Sequence, residues 1–327
     1  MLNYVVRRLV GMVPTLILVS ILTFIIIQLP PVDFATQLAA QVAGSGGQAD
    51  ERFIEVIRHQ YGLDQPVWLR YFIWMGGVLH GDFGYSFEWK RPVAELIGSR
   101  LAFTMLLSCL ALAFTWIVAI PIGIYSATRQ YSWRDVTLTT LGFLGLSIPD
   151  FMLGLVYLYV AATFFGFSAS GLVTADLEQA PWSVAKAVDF VSHLGWAVVI
   201  LGVAGTAQLI RIMRGNLLEA LGQQFVTTAR AKGLPERVVV NRYAVRVAIN
   251  PLISVMGMQL PNLISGATIL GVVLSLPTTG PLFLGALQSQ DTYLAGTFLL
   301  MLALLLMFGN LLADIALAWA DPRIRYE

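Results

Sequence analysis

About six apolar runs alternate with polar stretches along the chain, at roughly 9–29, 102–124, 137–165, 194–210, 247–275 and 294–317. Each approaches or exceeds the ~17–25 residues that a helix needs to cross a bilayer. The pattern therefore predicts an all-α membrane bundle. Arg7 and Arg8 precede the first run, and basic residues beside a span mark its cytoplasmic end. That run is too long for the ~7–15-residue core of a signal peptide, so a retained helix is expected. Two runs carry internal breaks. Ser147-Ile148-Pro149-Asp150 interrupts the third, where proline removes a backbone hydrogen bond and predicts a kink. Pro251, Gly257, Pro261, Asn262, Ser265, Gly266 and Gly271 interrupt the fifth. Broken helices at membrane depth are tolerated where they line a cavity.

The polar stretches differ in charge. Residues 30–100 hold six Lys or Arg against eight acids, a balance suited to the outer side. Within them, 44–50 reads as a turn, 51–63 as a helix, and 64–87 as an aromatic-rich amphipathic helix ending at glycines. Trp68, Tyr71, Phe72, Trp74 and Met75 suit either a membrane interface and internal packing or contact with an outer partner. Residues 166–193 read as an outside loop, and 274–291 as a turn plus an interfacial helix. The stretch at 211–246 is opposite in character. Arg211, Arg214, Arg230, Lys232, Arg237, Arg242 and Arg246 face only Glu219 and Glu236 there, the largest basic excess in the chain and a cytoplasmic signal.

Inside this basic stretch, Phe225, Val226, Ala229, Leu234, Val238 and Val239 recur at helical spacing, giving one apolar face. Gly233 tolerates positive φ, and the residue before Pro235 is pushed out of the helical region. The expectation is a helix, a turn at Gly233–Leu234, and a second helix opening with Pro235 at its first position. Such a unit suits docking into a groove on another protein or resting on lipid headgroups.

Composition agrees with the pattern. Of 327 residues, 57% are hydrophobic and 12% charged, with a mean hydropathy of +0.75. Soluble domains hold ~25% charged residues. A net charge of +1 offers no general pull toward nucleic acid. The single Cys109 lies in an apolar run and makes no internal disulfide. His59, His80 and His193 are the only histidines, and all are expected in loops. No metal-ligand spacing or Walker glycine loop is present, and no span pairs a nucleophile with a base. The chain is not expected to hydrolyse ATP or to be an enzyme.

Candidate pathway residues are few. Asp150 sits in an apolar run, where a charge costs at least ~2.5–3.5 kcal/mol. It is expected either to cap the half-helix after Pro149 or to meet a solute. Gln259 and Asn262 are three apart, on one helix face. A stand-alone secondary transporter would show inverted repeats and midplane charges; no convincing repeat is evident, and intramembrane charges are few.

Phe225, the run Ala229-Arg230-Ala231-Lys232-Gly233-Leu234 and Pro251 resemble the coupling loop of ABC-importer permeases, in the dipeptide/oligopeptide/nickel branch. Gly62-Leu63-Asp64-Gln65-Pro66, Gly81-Asp82-Phe83-Gly84 and the tail Asp321-Pro322-Arg323-Ile324-Arg325 resemble the same branch. The general loop pattern opens Glu-Ala-Ala, where this chain has Thr227-Thr228-Ala229. The resemblance implies a type I ABC-importer fold of about six spans, with a long extracytoplasmic loop after the first. It implies an N-terminal transmembrane helix at 1–30, an extracytoplasmic loop region at 31–97, a permease domain at 98–318 and a cytoplasmic tail at 319–327. Phe225, Thr228, Ala229, Arg230, Ala231, Lys232, Gly233, Leu234 and Pro235 would couple to an ATPase. Asp150, Gln259 and Asn262 would line the pathway. No cofactor would bind this chain; ATP and Mg would sit on partner subunits. The implied partners are a second homologous permease, one or two ABC ATPase subunits, an extracytoplasmic solute-binding protein and membrane lipid, with no nucleic acid. The implied site is the bacterial inner membrane, with both termini cytoplasmic. Oligopeptides are the implied solutes; relatives also move oligosaccharides, opines or nickel complexes.

Overall fold

A computed structural model describes residues 2–44 and 50–320. Most of the expected turn at 44–50 and the tail motif at 321–325 lie outside the described residues. The described chain is helical, with one isolated antiparallel bridge between Tyr85 and Pro92. It divides into two compact units. One takes the residues up to Phe103 together with Thr278–Met307; the other takes Thr104–Pro277 and the residues from Phe308 on.

The first unit begins with α1 (Leu2–Gln28), α2 (Phe34–Gly44), α3 (Glu51–Gln60) and α4 (Val67–Leu79). The start of α5 (Val93–Thr128) follows. Helix α4 has two faces. Tyr71, Trp74, Met75 and Val78 turn inward against Phe24, and Trp74 stacks on Phe24 with centroids 5.7 Å apart. Trp74 Nε1 donates to Thr297 Oγ1 at 3.4 Å, and the Tyr71 and Ser20 hydroxyls lie 2.8 Å apart. Trp68 and Phe72 stay exposed. The aromatic stretch is thus half core and half surface, and its helix ends at Leu79, before glycines at positive φ, Gly81 and Gly84.

Asp291 closes this unit from the other end of the chain. It is fully buried and takes the N–H groups of Phe87 and Glu88 at 2.9 and 3.3 Å and the Ser86 hydroxyl at 2.5 Å. Its other oxygen takes the Leu294 N–H at 3.2 Å, satisfying an orphan donor at a helix start.

The second unit holds the rest of α5, then α6 (Trp133–Ser147), α7 (Asp150–Val160), α8 (Val184–Leu221), α9 (Gln224–Ala231) and α10 (Asn250–Val273). A five-residue π-helix, Ala161–Phe165, extends α7. Two further helices belong with the first unit: α11 (Thr279–Gln288) and the opening of α12 (Thr292–Ala320).

Among the described residues, four helices are long and apolar enough to cross a membrane: Val6–Gln28, Val93–Thr128, Val184–Leu221 and Thr292–Leu312. The pair α6 and α7 with its extension qualifies as a fifth if counted as one broken span, bent by 100°. The bend falls at the expected proline. Ile148 is extended, with φ −105° and ψ 123°, as a residue before proline must be. Helix α10 runs 24 residues, Asn250–Val273, with Pro261 inside it.

Helices outrun their apolar cores. The expected loop at 166–193 is helical from Val184, where Ser183 Oγ accepts the Lys186 N–H at 3.3 Å. Polar side chains of that first section are satisfied by the preceding loop. Lys186 Nζ donates to the carbonyls of Glu178 and Ala180 at 2.9 and 2.7 Å, and Asp189 accepts the Thr174 N–H and hydroxyl at 2.6 and 3.0 Å. His193 is therefore a buried helical residue, not in a loop as expected.

Close approach builds the second unit. A Cβ on Gly145 of α6 would stand 2.4 Å from Val203 Cγ1 of α8, so only glycine lets these helices meet. Small residues at such contacts are the rule inside membranes, where apolar surface gains little by leaving lipid.

Candidate functional site

The basic segment folds as a supported loop. Helix α9 ends at Ala231, and Gly233 follows at φ +76°. The Gly233 N–H reaches the Arg230 carbonyl at 2.9 Å and the Leu234 N–H reaches the Ala229 carbonyl at 3.4 Å. This paired closure is the Schellman stop, which needs a left-handed residue at the turn. Pro235 lies just outside the next helix, Glu236–Val238, as its N-terminal flanking residue, one place earlier than expected. The chain continues through a π-helix, Val239–Ala244, and Val245–Ala248.

The underside of this loop is core. Val226, Ala229 and Val239 are buried against Leu209, Met213 and Leu217 of α8, with Leu234 packed alongside. The opposite side is open: Phe225, Thr228, Arg230, Ala231, Lys232, Gly233 and Pro235 are exposed. Phe225 thus leaves the apolar face to which its spacing assigned it. Arg230 spans the turn to Glu236 through two hydrogen bonds of 3.0 and 2.6 Å. That guanidinium holds the Glu236 carboxyl below its ordinary range. The arrangement presents a rigid, basic, partly apolar knob with its own foundation.

The three candidate pathway residues have different surroundings. Asp150 does not cap its helix: Pro149 takes the flanking position and no side-chain cap forms. Asp150 is instead the first helical residue, where a carboxylate meets the positive end of the helix dipole. It is half-buried, and its Oδ2 lies 3.1 Å from where a Cβ on Gly266 would stand. Gln259 is buried and accepts the Trp116 indole N–H at 3.2 Å, while its own Nε2 has no partner. Asn262 is exposed, in line with Ser265, Ile269 and Val272 along one face of α10. One turn separates Asn262 from Gly266, so the free carboxylate of Asp150 lies beside that exposed face.

A further ion pair joins Asp135 and Arg214. Asp135 is buried at the start of α6, where its oxygens take the Tyr131 N–H at 2.9 Å and Arg214 at 3.2 Å. Ser132 Oγ accepts the Asp135 N–H at 3.2 Å, a local Ser-x-x-acid capping signature that was open to reading. Its link to Arg214, 79 residues on, was not. Among the described residues no group of three His, Cys, Asp or Glu side chains gathers as a metal site.

Residues 119–326 match the family described as the binding-protein-dependent transport system inner membrane component, and residues 1–108 match the corresponding N-terminal family. The chain belongs to this family. It is 35% identical to the oligopeptide transport system permease protein AppB of Bacillus subtilis (strain 168), with all of both chains covered. It is 31% identical to the glutathione transport system permease protein GsiC of Escherichia coli (strain K12), again over both full chains. Its fold is similar to a chain in a solved structure of inward-facing conformations of the MetNI methionine ABC transporter. That match has a TM-score of 0.51 at 17% identity and covers 69% of this chain and 96% of the other. The protein is accordingly a permease subunit of a binding-protein-dependent ABC importer, a transport component and not an enzyme. Family membership places it in the inner membrane, within importers driven by ATPase subunits. The reading as a stand-alone secondary transporter falls with that assignment.

Proposed function

We propose that this permease carries oligopeptides or similar small solutes, with a second homologous permease forming the other half of the pathway. The named roles of its relatives, oligopeptide and glutathione transport, support this solute class over oligosaccharides, opines or nickel complexes. In this reading α10 is the sixth span, both termini are cytoplasmic, and residues 31–97 face a solute-binding protein. ATP and Mg act on one or two partner ATPases. The exposed side of residues 225–235 plugs into an ATPase subunit. Closure of the ATPase pair draws the two loops together and rocks the bundle between inward- and outward-open states. Asp150 and the Asn262 face border the solute path, while Gln259 holds Trp116 behind it.

One observation carries the coupling role. The loop is rigidly founded, through Val226, Ala229 and Val239, yet leaves its basic upper face uncovered. Because Ala229 is buried, a charge there would disturb the foundation and not the contact alone. Ala231 is exposed and gives the cleaner test. In proteoliposomes with ATPase and binding protein, Ala231→Glu is expected to abolish most uptake while the permease keeps its wild-type thermal stability. Uptake at the wild-type rate would remove the docking role.

A further inference from the structure

Helices α6 and α8 meet along an antiparallel seam that changes character toward the coupling-loop end. A Cβ on Gly145 would meet Val203, and one turn along, a Cβ on Gly142 would stand 3.5 Å from the Ala207 Cβ. At the far end Asp135 holds Arg214. Between the glycine contact and the ion pair the seam opens into a cavity of about 100 Å³. Thr139, Gly142 and Phe143 wall it from α6, and Ala207, Arg211 and Arg214 from α8.

The charges in this cavity do not balance. Arg214 spends one guanidinium nitrogen on Asp135, and its Nε is buried without a partner. Arg211, three residues earlier on the same face, is exposed and makes no ion pair among the described residues. Two guanidinium groups thus face one carboxylate, leaving one positive charge uncompensated. The neighbouring cations are engaged differently: Arg134 lies over the Trp133 ring at 5.3 Å and Arg129 over Tyr125 at 5.6 Å. Tyr131 and Trp133 are strongly exposed, as aromatic rings are at a membrane–water interface. Just above the cavity, Phe143, Leu144 and Leu146 are exposed apolar residues, suited to acyl chains.

We propose that this cavity binds the phosphodiester of an anionic phospholipid. The space suits a phosphate group, about three waters in volume at ~30 Å³ each. A phosphodiester carries the single negative charge that is missing, and the arginine fork matches its oxygens. Basic pockets between membrane helices are established lipid-headgroup sites in general. Because the walls are α6 and the end of α8 that runs into the coupling loop, a lipid held there braces the base of that loop.

The test uses the purified full chain in mixed micelles with spin-labelled phosphatidylglycerol and phosphatidylcholine. Wild type is expected to immobilise phosphatidylglycerol preferentially. Arg211→Gln is expected to lower that preference about fivefold, the weight of one basic contact at a membrane surface. Arg211→Lys is expected to keep most of it, and Arg134→Gln, at the same end but outside the cavity, to leave it unchanged. An unchanged preference in Arg211→Gln, or an equal loss in Arg134→Gln, would overturn the site. Displacement of the labelled lipid by inorganic phosphate would assign the cavity to free phosphate and overturn the lipid.

Discussion

Two side chains decide what the interior of the second unit tolerates. Gln259 accepts from Trp116 but keeps a buried Nε2 without a partner. A buried polar group left unmade costs more than its hydrogen bond adds, whereas removing both partners can be near neutral. Trp116→Phe alone should therefore destabilise by about 1–3 kcal/mol, beyond any packing loss, while Gln259→Leu on that background should recover part of it. Thermal denaturation of the two variants checks this; equal midpoints would contradict it. Asp150 is the other decisive side chain. It makes no cap and lies against Gly266 beside the exposed face of α10. Asp150→Asn should slow uptake severalfold with unchanged thermal stability if that face borders the path. Unchanged transport in proteoliposomes would return Asp150 to a purely structural role.

At the scale of elements, α2 and α3 are joined by a charge contact. Arg58 Nε donates to Asp33 Oδ2 at 2.7 Å, and Thr36 donates to Oδ1 through its N–H at 2.9 Å and its hydroxyl at 2.7 Å. Partial burial works to raise the Asp33 carboxyl, but these donors outweigh it and carry it below its ordinary 3.8. A carboxyl lowered in the fold stabilises fully above its unfolded value and loses that contribution as pH falls through the folded one. The thermal midpoints of wild type and Asp33→Asn should thus differ at neutral pH and converge as pH drops below 3.8. A constant difference across that range would rule the contact out as a stabiliser. The elements legible in the sequence were those set by local chemistry: the proline break at Ile148–Pro149 and the glycine stop at Gly233. What was not legible depends on distant partners. Loop carbonyls of Glu178 and Ala180 hold the Lys186 side chain of α8, and Asp291 anchors Ser86 across 205 residues. Apolar periodicity carries no signal for either. The same holds at the coupling loop, where spacing grouped Phe225 with buried Val226 although the supporting helix lies beneath only one of them.

For the whole molecule, the separation of roles follows from what the chain lacks and what it exposes. It brings a helical bundle, a half-buried carboxylate beside an open helix face, and a basic knob fixed to the core of the second unit. In the proposed mechanism the energy of the importer's ATPase subunits enters through that knob. Labelling Lys232 is the most direct check. In a Cys109→Ser background, which removes the exposed native thiol, Lys232→Cys would be treated with a membrane-impermeant maleimide. The account predicts no reaction in intact cells, reaction in inside-out vesicles stripped of ATPase, and protection when the ATPase is restored. Reaction from outside the cell, or identical labelling with and without the ATPase, would contradict it.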